Sequence, residues 1–86
     1  MNDDEKVKAL INRGEECINK GDNNNAIIFF REALDILKRD YTYSIKSDIV
    51  HCYTSLGIAY TRMEKKKEAV KCFEKALLLR LKLQSN

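Results

Sequence analysis

A histidine and a cysteine, His51 and Cys52, stand side by side and offer a general base next to a nucleophile. Such a pair works only when the imidazole reaches the thiol by a hydrogen bond. On a helix, neighbouring side chains point about 100° apart, so these two do not form a dyad. His51 is the sole histidine, and the three cysteines, Cys17, Cys52 and Cys72, lie far apart with no CxxC pair. They read as buried free thiols in a reducing compartment, not as metal ligands or a redox couple. Asp3, Asp4 and Glu5 are adjacent acids, but at a chain start they read as a solvated helix cap. The sequence has no glycine-rich phosphate loop, HExxH or GxSxG motif. No catalysis, metal or cofactor is expected.

Lys65, Lys66, Lys67, Lys71 and Lys75, with Arg62, make a basic patch. Glu64, Glu68 and Glu74 interleave with it, and the formal charge of the whole chain is only +3. That pattern is a solvated helix face, and no nucleic-acid partner is expected. The start, MNDDEKVK, is polar and lacks the features of a signal peptide. The richest apolar run, ALLLRLKL, is interrupted by Arg80 and Lys82 and falls short of the roughly 20 residues a membrane span needs. A cytoplasmic location with no membrane partner is the expectation.

The chain has 86 residues, no proline, three glycines, 34% charged and 44% apolar residues. This favours one small all-helical domain over a β fold. Helix one reads from about Glu5 to Asn19, with Val7, Leu10, Gly14, Cys17 and Ile18 inward. Asp3 or Asp4 is the expected cap, and Gly21 a left-handed residue after its end. Helix two reads from about Asn24 to at least Arg39, with Asn23 or Asn24 as cap. Its stripe is Ala26, Phe30, Ala33 and Leu37, and Tyr41 continues the spacing. A bend between Asp40 and Ser47 leads into helix three, which ends near Met63. Ile49, Tyr53, Leu56, Tyr60 and Met63 share one face of it. The bend EKKK contains no glycine or proline, and helix four runs from about Lys66 to Gln84.

The halves repeat. Gly14, Ala26, Phe30 and Ala33 recur as Gly57, Ala69, Phe73 and Ala76, each pair 43 residues apart. The second half, with Tyr53, Leu56-Gly57, Tyr60, Ala69, Phe73 and Ala76, resembles the tetratricopeptide repeat. Tyr53 stands in for the family's tryptophan and Leu81 for its closing proline. The first half departs more at its front, where Leu10, Arg13-Gly14 and Cys17 replace the usual residues. Its back half, GDNNNAIIFFREAL, is close to the family's turn and second helix. The resemblance spans about Val7 to Leu83. The family period of 34 residues is about nine shorter, and the extra length falls at Tyr41 to Ile49. This looks like the longer-helix variety found in kinesin light chains and some bacterial peptide-sensing regulators. The three-helix microtubule-interacting and trafficking domain is an alternative for the first hairpin, but it has no place for a second one.

The resemblance implies an all-α domain, 1–86, of two stacked antiparallel helical hairpins, a fragment of an α-solenoid with four helices. Repeat one covers about 5–40, the bend about 41–47 and repeat two about 48–84. Phe30, Tyr60 and Phe73 are expected to fill gaps opposite Gly14, Gly57, Ala33 and Ala76. A non-catalytic role in protein–protein interaction is implied, with a peptide or helix in a concave groove formed by helices one and three. Groove places carried over from the family are Lys8, Ile11, Glu15, Ile18 and Asn19, then His51, Thr54, Ile58, Thr61 and Arg62. Ile11, Ile18 and Ile58 are expected to be exposed there. A clamp for acidic chaperone tails is not expected, because Ile11, Glu15 and Ser55 occupy clamp places and Glu15 repels a carboxylate. Five leucines fall in the seven residues from Leu77 to Leu83, and Leu77, Leu78, Leu81 and Leu83 are expected to mediate self-association, as a dimer. The alternative is a purely structural oligomerisation module with no groove ligand.

Overall fold

The computed structural model describes residues 2–39 and 46–84, with the Lys46 side chain excluded. Among these residues there are four helices and no strand: α1 (Asp3–Lys20), α2 (Asn23–Arg39), α3 (Lys46–Arg62) and α4 (Lys66–Gln84). The expected extension of helix two to Tyr41 and most of the bend lie outside the described residues. Each helix packs on the next, α1 on α2, α2 on α3 and α3 on α4, with a slight α1–α3 contact. The short dimension of 18 Å fits helices arranged in two layers.

The turns inside the two hairpins are built alike but from different residues. In the first, Gly21 is left-handed at φ 80° and donates to the Ile18 carbonyl, while Asp22 N–H donates to Cys17. This pair of bonds satisfies the last carbonyls of α1. The Asp22 carboxylate then accepts from the Asn25 backbone N–H at 3.3 Å and caps α2. In the second, Glu64 takes the left-handed place at φ 60°, donating to Thr61, and Lys65 N–H donates to Tyr60. Glu64 and Lys65 stand 43 residues after Gly21 and Asp22. The first cap also differs from expectation: Asn2 caps α1, its Oδ1 accepting from Glu5 N–H at 2.8 Å. Asp3, Asp4 and Glu5 fill the first turn, where negative charge meets the positive helix end.

The core forms where the stripes meet. Val7, Leu10, Ala26, Phe30, Ala33, Leu34, Leu37, Cys52, Tyr53, Leu56, Tyr60, Ala69 and Ala76 are buried together. Gly14 and Gly57 serve as the seats of the two phenylalanine rings. A Cβ at Gly14 falls 2.8 Å from the Phe30 ring, and one at Gly57 falls 2.6 Å from Phe73. The two rings differ in what lies behind them. Each ring fills the gap over its glycine as expected, but Phe30 is fully buried whereas Phe73 is 39% exposed on its other side. The reason is positional: α3 packs against α2, and no described element stands in the corresponding place against α4.

Candidate functional site

Along α3, His51, Thr54, Ser55, Ile58 and Arg62 follow a helical repeat on the side that meets α1. Two contacts tie this side to α1, and a third reaches α2. His51 Nε2 lies 2.6 Å from Glu15 Oε1, both side chains about half exposed. The His51 ring also meets the buried Phe30 ring edge-on at 6.3 Å. At the other end, Arg62 Nη1 donates to the Ile18 carbonyl at 2.8 Å. Between these ties lies a shallow cleft of about 160 Å³, lined by Glu15, Ile18, Asn19, Ser55 and Ile58.

Of the residues assigned to the groove from sequence, Glu15, Ile18, Asn19 and Ile58 line this cleft together. Lys8, His51, Thr61 and Arg62 are exposed, and Thr54 is half-buried. The Thr54 and Thr61 hydroxyls donate to the Val50 and Gly57 carbonyls of their own helix, so those protons are already used. Ile11 is a correction. It is only 9% exposed and belongs to the core, because it lies four residues after Val7 and three before Gly14, on the same buried stripe. Ser55 was missed. It is buried and lines the cleft, one turn before Ile58 and Ala59.

Leu77, Leu78 and Leu81 are exposed, as are Val70 and Phe73. Leu83 is also partly exposed, but it lines a second cleft with Val50, His51 and Thr54, on the α3 side of α4. Cys52, the thiol that the sequence offered as a nucleophile, is fully buried. Burial first, then the charges of Asp48 and Glu15, push it up to about 12, so it stays protonated. Among the described residues no group of three His, Cys, Asp or Glu side chains is arranged to hold a metal ion. No described helix is long and apolar enough to cross a membrane.

Two stacked hairpins, with small residues seating aromatics at equivalent places, match what family models describe. One tetratricopeptide repeat model matches residues 7–36 and another matches residues 51–80. The chain belongs to the tetratricopeptide repeat family. Its two matches cover both hairpins, which leaves no room for the three-helix alternative. No curated protein and no solved structure matches the chain. Tetratricopeptide repeats generally mediate protein–protein interaction, bind proteins or peptides, and are non-catalytic.

Proposed function

We propose that this tetratricopeptide repeat chain is a non-catalytic interaction module with two working surfaces. The concave α1/α3 side receives a peptide or helix, and α4 brings two copies together. The observation that carries the groove reading is the cleft between the two inner helices, with Ile18 and Ile58 as apolar contacts and Glu15 and Asn19 as polar ones. That mixture suits a short amphipathic segment, since apolar contacts supply affinity and a few polar groups fix register. Lys8, His51, Thr54, Thr61 and Arg62 extend the groove beyond the cleft.

Self-association rests on comparing equivalent positions. Phe30, Leu34 and Leu37 of α2 are buried; Phe73 and Leu77 of α4, at the places of the first two, are exposed. Head-to-tail stacking of copies does not suit α1. Its outer positions are Lys6, Arg13 and Glu16, all exposed, where α3 has Ile49, Leu56 and Ala59. A two-fold pairing of α4 with α4 covers the leucines instead.

The test separates the two surfaces. The double variant Ile18→Glu/Ile58→Glu should lose partner proteins in a quantitative pull-down, while keeping wild-type helicity and mass by light scattering. Leu77→Glu should reduce the micromolar-concentration mass from a dimer to the 10.0 kDa monomer. Unchanged capture by Ile18→Glu/Ile58→Glu favours the alternative, an oligomerisation module with no groove ligand. A monomeric wild type at high concentration removes the self-association half.

A further inference from the structure

Tyr53, Leu56 and Tyr60 face away from the groove, on the opposite side of α3. The Tyr53 ring is buried, and two ammonium groups from different helices converge on it. Lys38 Nζ of α2 lies 5.5 Å from its centroid and Lys75 Nζ of α4 lies 5.4 Å away. A third cation is fixed beside them. The Arg31 guanidinium donates from Nε at 3.0 Å, and also from Nη2, to the Tyr60 hydroxyl. All three cations line one cleft of about 260 Å³ between α2, α3 and α4. No carboxylate among the described residues lies within ion-pairing distance of any of them. The Cys72 thiol, also in that cleft, is pushed up by burial, pulled down by Lys75 and then Arg31, and pushed up less by Glu68. The fields of both cations therefore reach the interior of the cleft.

We infer that this cleft binds a phosphate monoester, a dianionic group seated between Arg31, Lys38 and Lys75. Cations drawn together with no carboxylate in ion-pairing reach repel one another, and an anion between them adds an attraction to each. Asp35 lines the same cleft, so the four charges sum to +2. A phosphate monoester carries about −1.5 to −2 at neutral pH and matches that sum; a single carboxylate does not. Arg31 keeps Nη1 for a charge-assisted bond, and the ammonium groups supply point charges from two sides. The cleft lies on a different face from the α1/α3 groove, so the inference does not depend on that groove having a ligand.

The test is a titration of the full chain followed by NMR, at constant ionic strength, with O-phosphoserine, a phosphoserine peptide, inorganic phosphate and acetate. Phosphoserine should shift the Tyr53 ring and Cys72 signals saturably. Lys38→Ala and Lys75→Ala should each weaken binding about fivefold or more. Lys66→Ala, which removes a cation of α4 outside the cleft, should leave it unchanged. A phosphopeptide binding more tightly than inorganic phosphate assigns the group to a partner polypeptide, and equal affinity assigns it to a free phosphate ester; both support the site. Affinity for phosphoserine should rise as pH is raised through about 6, as the second phosphate proton leaves. The inference is overturned by a non-saturable response, by acetate binding as tightly as phosphoserine, or by equal losses in Lys66→Ala and Lys75→Ala. Tighter, steeply salt-dependent binding of a short RNA overturns it too, by making the cleft a general polyanion surface.

Discussion

Alanine at Gly14 and at Gly57 places the same methyl group against the same ring, at equivalent points of the two repeats. At Gly14 the new Cβ falls 2.8 Å from Cε2 and Cζ of Phe30; at Gly57 it falls 2.6 Å from Cε1 and Cζ of Phe73. Distance alone ranks Gly57→Ala as the more damaging change. Burial reverses the order. Phe30 is fully enclosed and touches the His51 ring, so it has no space to retreat into. Phe73 is 39% exposed and can move outwards into water. Overpacking a closed core costs about 1–3 kcal/mol, while replacing a glycine inside a helix by alanine returns about 1 kcal/mol. Gly14→Ala should therefore lose up to about 2 kcal/mol, and Gly57→Ala should stay within about 0.5 kcal/mol of its parent. The assay is urea unfolding followed by helical circular dichroism, with equal slopes required for comparison. It is run in the Leu77→Glu background, since a paired α4 would close the outward path of Phe73. A loss at Gly57→Ala equal to or greater than that at Gly14→Ala would refute the argument. Adding Phe73→Ala gives a second check: once the ring is gone, Gly57→Ala should become stabilising by about 1 kcal/mol.

The hairpin turns and the buried thiol give two more outcomes. Grafting the first turn onto the second, Glu64→Gly with Lys65→Asp, relieves a left-handed non-glycine residue and adds a missing cap, about 1–2 kcal/mol together. The melting temperature should rise by about 5 °C or more, and no rise would discount the equivalence of the turns. Cys52 starts from an ordinary value near 9 and is pushed up to about 12. The folded chain keeps a proton that the unfolded chain releases above pH 9, so this contribution is intact below that pH. Between pH 9 and 12 it should fall by about 1.4 kcal/mol per pH unit. Urea unfolding across that range should show the slope in wild type and a shallower one in Cys52→Ala; identical slopes would contradict the assignment.

The inward stripes were legible in the sequence because they rest on helical periodicity, and Ala26, Phe30, Ala33, Tyr53, Leu56 and Tyr60 are all buried as read. The caps were legible only as neighbourhoods. Runs such as NDD and GDNNN contain several residues able to cap, and propensity does not choose among them. The register of the buried stripe does, which places the caps at Asn2 and Asp22. Ile11 was misplaced because its groove role came from a family position and not from its own spacing, which puts it with Val7 and Gly14. The burial of Ser55 in the cleft and the meeting of cations around Tyr53 were not visible, because they depend on which helices lie side by side. Along the chain Lys75 falls in a basic patch with Lys67 and Lys71, whereas the neighbour it shares Tyr53 with, Lys38, is on another helix.

Phe73 carries the same lesson to the surface. Its sequence environment mirrors that of Phe30, yet burial in a stacked repeat belongs to the neighbour as much as to the residue. α4 is not a plain copy of α2 either. Leu78 and Leu81 occupy the places where α2 has Asp35 and Lys38, so its apolar surface is wider than the one α2 gives to α3. A further helix in the place that α3 takes on α2 would cover Phe73 and Leu77 and leave Leu78 and Leu81 largely exposed, as Asp35 and Lys38 are with α3 in place. An antiparallel α4 pair gives Leu81 a partner as well, each copy meeting the same residues of the other. The width of the leucine face is therefore the feature by which self-association, as proposed, differs from continuation of the array: Leu81→Ser should weaken a dimer, but it should have little effect on docking of another hairpin.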